Sequence, residues 1–229
     1  FQMWTGGGEH FSFMNQPMAA MANFKMFCTA LVPLLAHDAN AVQGLGEILE
    51  AMPETMNREM HRMWAKKMGL AEFSEELFAE LHALMAETPV DYTIFWRELS
   101  SLPRHVAALR PAFYETRGGY SQGSVAMEAR WANWLQKWHA ALEREGCPPA
   151  GVSEAMRRVN PKYIPREWMM VEAYRSATDT GDYSLVQRLH NVLEDPYGEQ
   201  SEAVAALYYK KKDERFFDLG GTSHCSCSS

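Results

Sequence analysis

The sequence predicts an all-α fold, an irregular assembly of seven or eight helices, on three observations. Apolar residues recur three and four positions apart in several separate stretches, the period of a helix with one buried face. Alternation at period two never persists long enough for a half-buried strand. Glycine, proline and small polar residues stand at the ends of the periodic stretches, where helices start and stop. No internal repeat is present.

The chain has 229 residues and begins at Phe1 rather than Met. That length can bury one substantial core, or a core shared with a further segment of a longer polypeptide. A formal charge of -7 and a pI near 5.6 argue against a nucleic-acid surface, which needs clustered Lys and Arg facing phosphate. The one basic run, Lys210-Lys211-Lys212, is followed at once by Asp213 and Glu214 and reads as a solvated tail. Four cysteines do not make a disulfide scaffold. The longest apolar run, from Met26 to Ala36, falls short of the roughly 20 residues a bilayer requires, so no membrane span is expected.

The elements follow in order. Gly6-Gly7-Gly8 lacks the Lys-Ser or Lys-Thr of a phosphate loop and reads as a lead-in. Asn15 or Gln16 stands near the cap of the first helix, with Pro17 near its first position. Met21, Phe24, Cys28, Leu31, Val32 and Leu35 form its buried face, Cys28 serving as a small apolar residue. From about Asn40 to Gly69 the pattern is one long helix or two abutting at Pro53. Its Met56, Met60, Met63, Trp64 and Met68 line one side as adaptable core. Glu59 and His61 are two apart and point in different directions, which argues against a metal site.

Ser74 caps the next helix, with Leu77, Phe78, Leu81, Leu84 and Met85 inward. Asp91 begins a short one carrying Tyr92, Phe95, Trp96 and Leu99. Residues 102 to 124 read as a loop, and Gly119 to Gly123 spell G-x-S-x-G around Ser121. A nucleophile elbow needs a strand before that turn, and none is predicted, so Ser121 or Ser124 reads as a loop or cap residue. In the helix from 124 to 145, Met127, Trp131, Trp134, Leu135, Trp138 and Leu142 are in register. Three tryptophans on one face suit either a core or a grip on an aromatic or cationic ligand. Gly146-Cys147-Pro148-Pro149 ends it, and a short segment from Val152 to Val159 follows.

Asn160-Pro161 favours an extended entry to a helix whose first turn holds Pro165 and whose stripe is Trp168, Val171, Tyr174 and Arg175. Gly181 ends it in a left-handed conformation, and Asp182 caps a second helix with Leu185, Val186, Leu189, Val192 and Leu193 inward. Asp179 to Asp182, DTGD, lacks the spacing of a calcium loop and reads as a capped turn. Asp195-Pro196-Tyr197-Gly198 makes a turn, and helical character continues weakly through Leu207 to Tyr209. The tail ends His224-Cys225-Ser226-Cys227-Ser228-Ser229. On composition its thiols are inert, or bind metal adventitiously with His224, or react as thiolates.

Four stretches resemble the selenoprotein O (SelO) family of kinase-like protein adenylyltransferases: FSFMNQP, DYTIFWRELS, NPKYIPREWMMVEA through GDYS to DPYGEQ, and the CSS terminus. The resemblance implies that residues 1–209 are the C-terminal helical region of a kinase-like fold and 210–229 a flexible tail with a redox cysteine. It implies an enzyme that takes ATP with Mg2+ and attaches AMP to Ser, Thr or Tyr hydroxyls of protein substrates. The family's catalytic Lys, Glu, Asp and Asn precede the FSFMNQP junction, so no catalytic, nucleotide-binding or metal-binding residue is expected in this chain, which alone would be inactive. Cys227 stands where the family carries its redox residue, and Cys225 is an additional thiol. A mitochondrial location is implied for a eukaryotic member and a cytoplasmic one for a bacterial member. The alternatives are a non-catalytic helical interaction module and, third, a serine hydrolase built on Ser121.

Overall fold

The computed structural model describes residues 14–114 and 125–212, which fall into two units, 14–61 and 62–212. Among the described residues are nine α-helices, one 3-10 helix and no strand beyond an isolated bridge, so the all-α class holds. The helices exceed the expected number because the short segments at 149–157 and 202–208 also close their hydrogen-bond ladders.

In the first unit, α1 (Gln16–Leu35) has Asn15 at its N-cap position and Pro17 in its first turn. Only Cys28 is fully buried; Met21, Phe24, Leu31 and Leu35 are half-buried. Those five are spaced three, four, three and four apart, a narrow seam in which Val32 has no place, and Val32 is exposed. Met18, Met26, Phe27 and Leu34 are exposed as well. With Lys25 its sole charge and a mean hydropathy of 1.5, α1 is long and apolar enough to cross a membrane. Asp38 caps α2 (Ala39–Met68), accepting from the backbone N–H of Asn40 at 3.0 Å and Ala41 at 3.1 Å. The helix continues unbroken through Pro53.

The second unit is built around tryptophans. Trp64, Ala65 and Met68 at the end of α2 are buried, and Gly69 stops the helix at φ +72°. A Cβ on Gly69 would also sit 2.7 Å from Met156 Sδ and 2.8 Å from Val152 Cγ1. Ser74 caps α3 (Glu75–Glu87), which buries Leu77, Leu81 and Leu84 and leaves Phe78 and Met85 half-buried. Asp91 caps α4 (Tyr92–Leu99), with Phe95, Trp96 and Leu99 buried.

The stretch after α4 is not the plain loop its Pro and Arg content suggests. Val106–Ala112 is a 3-10 helix whose buried Val106, Leu109 and Ala112 follow its period of three, and Val90 bridges Phe113. On α5 (Val125–Glu145), Trp131, Trp134 and Trp138 have no exposed surface. Their indoles donate to Thr88 Oγ1 at 3.0 Å, Leu77 O at 2.9 Å and Met68 O at 2.8 Å. The three are core pillars that satisfy carbonyls and a hydroxyl, and they have no face left for a ligand.

Gly146 ends α5 at φ +67°, and α6 (Pro149–Arg157) buries Val152 and Met156. In α7 (Glu167–Thr180) the buried residues are Trp168, Met169 and Ala173, while Tyr174 and Arg175 are exposed, which corrects the expected stripe. Arg166 at the N-cap is drawn into the core, and positions three and seven further on share its face. Gly181 closes α7 at φ +69°. The α8 helix (Ser184–Glu194) starts just after the expected cap, with Asp182 accepting from the Ser184 backbone N–H at 2.9 Å. Val192 is buried and Val186 exposed.

The segment after α9 (Glu202–Tyr208) is anchored rather than solvated. Lys211 Nζ donates to Phe113 O at 2.5 Å, the Lys212 N–H to the Tyr114 hydroxyl at 3.3 Å, and Lys210 lies over the Trp168 ring.

Candidate functional site

Two of the stretches that carry the resemblance meet inside the second unit. The Asp91 carboxylate, which caps α4 through the Ile94 N–H at 3.1 Å, also accepts two hydrogen bonds from the Arg166 guanidinium, at 2.6 and 2.7 Å. Both side chains are 2% exposed. A planar guanidinium presents two parallel donors that match the two carboxylate oxygens, so the pair fixes orientation as well as charge. The Tyr114 hydroxyl donates to the same carboxylate at 3.1 Å. Burial first, and the Asp91 charge next, push the Tyr114 hydroxyl well above its ordinary pKa and keep it a donor.

One turn along α4, Arg97 joins three segments. Its Nη1 donates to Arg157 O at 3.1 Å and Asn160 O at 3.0 Å, and its Nη2 to Tyr197 O at 3.0 Å and Glu199 Oε1 at 2.7 Å. Lys162 reaches the other oxygen of Glu199 at 2.7 Å. Burial alone would raise Glu199, but the bonds from Lys162 and Arg97 outweigh it and hold the carboxyl down at about 2. The Asp195 to Gly198 turn brings Glu199 there: Gly198 donates to Asp195 Oδ1 at 2.9 Å, and a Cβ on Gly198 would strike that carboxylate. Pro196 O then accepts from the N–H groups of Lys162 and Tyr163.

Asn160 is fully buried between α2 and α4. Its amide donates to Lys67 O at 3.0 Å and Ser100 Oγ at 3.1 Å, while its oxygen accepts from Lys67 Nζ at 2.8 Å. Lys67 also lies 5.1 Å from the centre of the Trp96 ring, and burial lowers its pKa to about 8.

This arrangement binds segments to one another rather than substrate. Its carboxylates are spent on guanidinium and ammonium groups, and its amide on a carbonyl, a hydroxyl and an ammonium. Among the described residues no three His, Cys, Asp or Glu side chains stand together as metal ligands. Glu59 is exposed beside Arg58, and Asp182 is committed to capping. Ser121, His224, Cys225, Cys227 and the Gly6 to Gly8 run lie outside the described residues. Cys28 is a buried free thiol and Cys147 an exposed one. Sequence reasoning missed the Asp91–Arg166 and Arg97–Glu199 pairs, although all four residues lie within the stretches that carry the resemblance.

The model of the family described as protein adenylyltransferase SelO matches residues 4–194. A protein nucleotidyltransferase YdiU from Aromatoleum aromaticum is 32% identical over 239 residues, covering 99% of this chain and 43% of its own. Its counterpart from Xanthomonas oryzae pv. oryzae is 33% identical, with 97% and 42% covered, and that from Thiobacillus denitrificans 34%, with 88% and 39%. The chain thus spans about two fifths of the length of the curated relatives it matches. With a family match over residues 4–194, most of its length, this chain belongs to the SelO family of protein adenylyltransferases.

Proposed function

We propose that the polypeptide containing this chain is a kinase-like enzyme that transfers AMP from ATP to Ser, Thr or Tyr hydroxyls of protein substrates. The observation that carries this reading is the family match over residues 4–194. In such a transfer the hydroxyl oxygen bonds to the α-phosphorus, pyrophosphate leaves with the electron pair of the broken P–O bond, and a carboxylate takes the hydroxyl proton. ATP and Mg2+ belong to the part of the polypeptide beyond this chain, which by itself is inactive. What this chain contributes is a rigid helical buttress, held by Asp91–Arg166 and by the Arg97–Glu199–Lys162 cluster.

Cys227, with Cys225 as a second thiol, acts as a redox lever in this reading: a disulfide to a thiol in the catalytic part restrains the enzyme, and reduction releases it. Full-length protein given ATP labelled at either the α- or the γ-phosphate tests the transfer. Retention of α label alone supports it, and retention of γ label alone means a conventional kinase. Label transfer by residues 1–229 alone would overturn the inactivity of the piece. Identical oxidative inhibition of wild type and Cys227→Ser would remove the lever.

A second reading, a non-catalytic helical interaction module, is favoured by one observation. Met18, Met26, Phe27 and Leu34 stand exposed on α1. Failure of both labels to stay on protein, with metal and reductant present, would put that reading first.

A further inference from the structure

A cavity of about 450 Å³ opens in the second unit between α5, α6 and the turn after α4. That volume suits one small organic molecule. Leu102, Leu142, Pro149, Ala150 and Val152 make its walls apolar. Leu102 is held at φ +54°, a left-handed conformation that a branched side chain rarely takes, while its N–H donates to Leu99 O at 2.9 Å. A bulky residue kept in that conformation on a cavity wall preserves the shape of the wall.

Most polar groups of the lining are already committed. Ser153 Oγ donates to Ser100 O at 2.6 Å, His139 Nε2 lies 3.0 Å from Pro103 O, and Ser101 Oγ accepts from Arg157 at 3.4 Å. Two groups are held only weakly. Arg104 pairs with Glu143 through one nitrogen at 3.3 Å, both side chains being about two-thirds exposed. An ion pair so exposed is worth at most about 1 kcal/mol, so a ligand anion can displace Glu143 at small cost. The other group is Cys147, an exposed thiol outside any disulfide that lines the same cavity just before the first turn of α6, its sulfur donating only to Glu145 O at 3.8 Å.

We propose that this cavity is a binding site for small disulfides carrying a carboxylate and an apolar body, with Arg104 receiving the carboxylate and Cys147 capturing the ligand by thiol–disulfide exchange. The Cys147 sulfur, its proton released to solvent, attacks one sulfur of the ligand. A Cys147–ligand disulfide forms, the ligand's own S–S bond breaks, and the other half leaves as a thiolate with the electron pair. The ligand is the oxidant, and no other is required.

The test uses reduced full-length protein with two aromatic probes, the doubly anionic dithiobis-nitrobenzoate and the neutral dithiodipyridine. Modification of Cys147 is followed by mass spectrometry on the tryptic peptide 145–157. The expected result is a rate that saturates with the anionic probe, because binding precedes exchange. Arg104→Ala slows that probe about threefold or more at low concentration, the scale of one exposed charge pair, and leaves the neutral probe unchanged. Arg104→Lys retains most of the rate. A rate linear in the anionic probe overturns the proposal, since Cys147 is then only an accessible thiol. So does an Arg104→Ala variant that slows both probes equally or neither.

Discussion

Replacing Arg166 with methionine removes the cation that pairs with the Asp91 carboxylate, at a site where both side chains are 2% exposed. Removing one partner of a buried ion pair costs about 3–5 kcal/mol, mostly the penalty of a charge left in a poor solvent. The lower end applies here. The Ile94 N–H and the Tyr114 hydroxyl still donate to Asp91, so the stranded carboxylate keeps two of its four hydrogen bonds. A loss of about 3 kcal/mol is therefore expected for Arg166→Met. Adding Asp91→Asn keeps an oxygen for the α4 cap but removes the charge, so the double variant recovers about 2 kcal/mol of that loss. Urea unfolding followed by tryptophan fluorescence reads both, since Trp131 and Trp96 lie in the same core. A loss under about 1 kcal/mol, or a double variant no more stable than Arg166→Met, would show that the pair is not the buried bolt described.

Gly69→Ala should destabilise by about 2–3 kcal/mol, combining a left-handed backbone penalty with a methyl forced against Met156 and Val152; the same urea titration measures it. The Lys162 and Arg97 bonds hold Glu199 down at about 2 in the fold, against its ordinary 4.5, so its contribution is complete above 4.5 and is lost as pH falls through about 2. Melting temperatures across that range should fall less steeply with acid for Glu199→Gln than for wild type. Its side chain is 55% exposed, so the difference stays within about 1 kcal/mol. Lys67 has the opposite sense: with its pKa lowered from 10.5 to about 8, the unfolded chain holds more protons between those values, and stability rises with pH there. Relative to Lys67→Met, wild type should gain stability from about pH 8 to 10.5, and a flat difference would remove the buried ammonium from the account.

Helix ends were legible because they are local. Ser74, Asp91, Gly69 and Gly181 each act on neighbours within a few residues, and each stands where its residue type predicts. The azimuth of α7 was not legible, because a residue outside the periodic stretch decides it: Arg166 is pulled inward by Asp91, 75 positions earlier, and turns Tyr174 outward. The 3-10 helix at Val106–Ala112 escaped for another reason, since a period of three in a Pro- and Arg-containing stretch fits neither template applied to it. The motif stretches themselves were conspicuous in sequence. Their joint use was not, because nothing local says that Arg97 seeks the carbonyls of Asn160 and Tyr197.

Those Arg97 bonds also set an order of events. They close sequence separations of 60, 63, 100 and 102 residues, so two wait for the chain as far as Asn160 and the full set waits for the turn beyond α8. Contacts across such long loops bear their closure entropy before they contribute energy, and they are characteristically completed late. Arg97 is therefore a latch rather than a nucleus: weakening it should leave the refolding rate almost unchanged and accelerate unfolding. The resistance of this unit to slow opening then falls by the full free energy that the Arg97 guanidinium contributes.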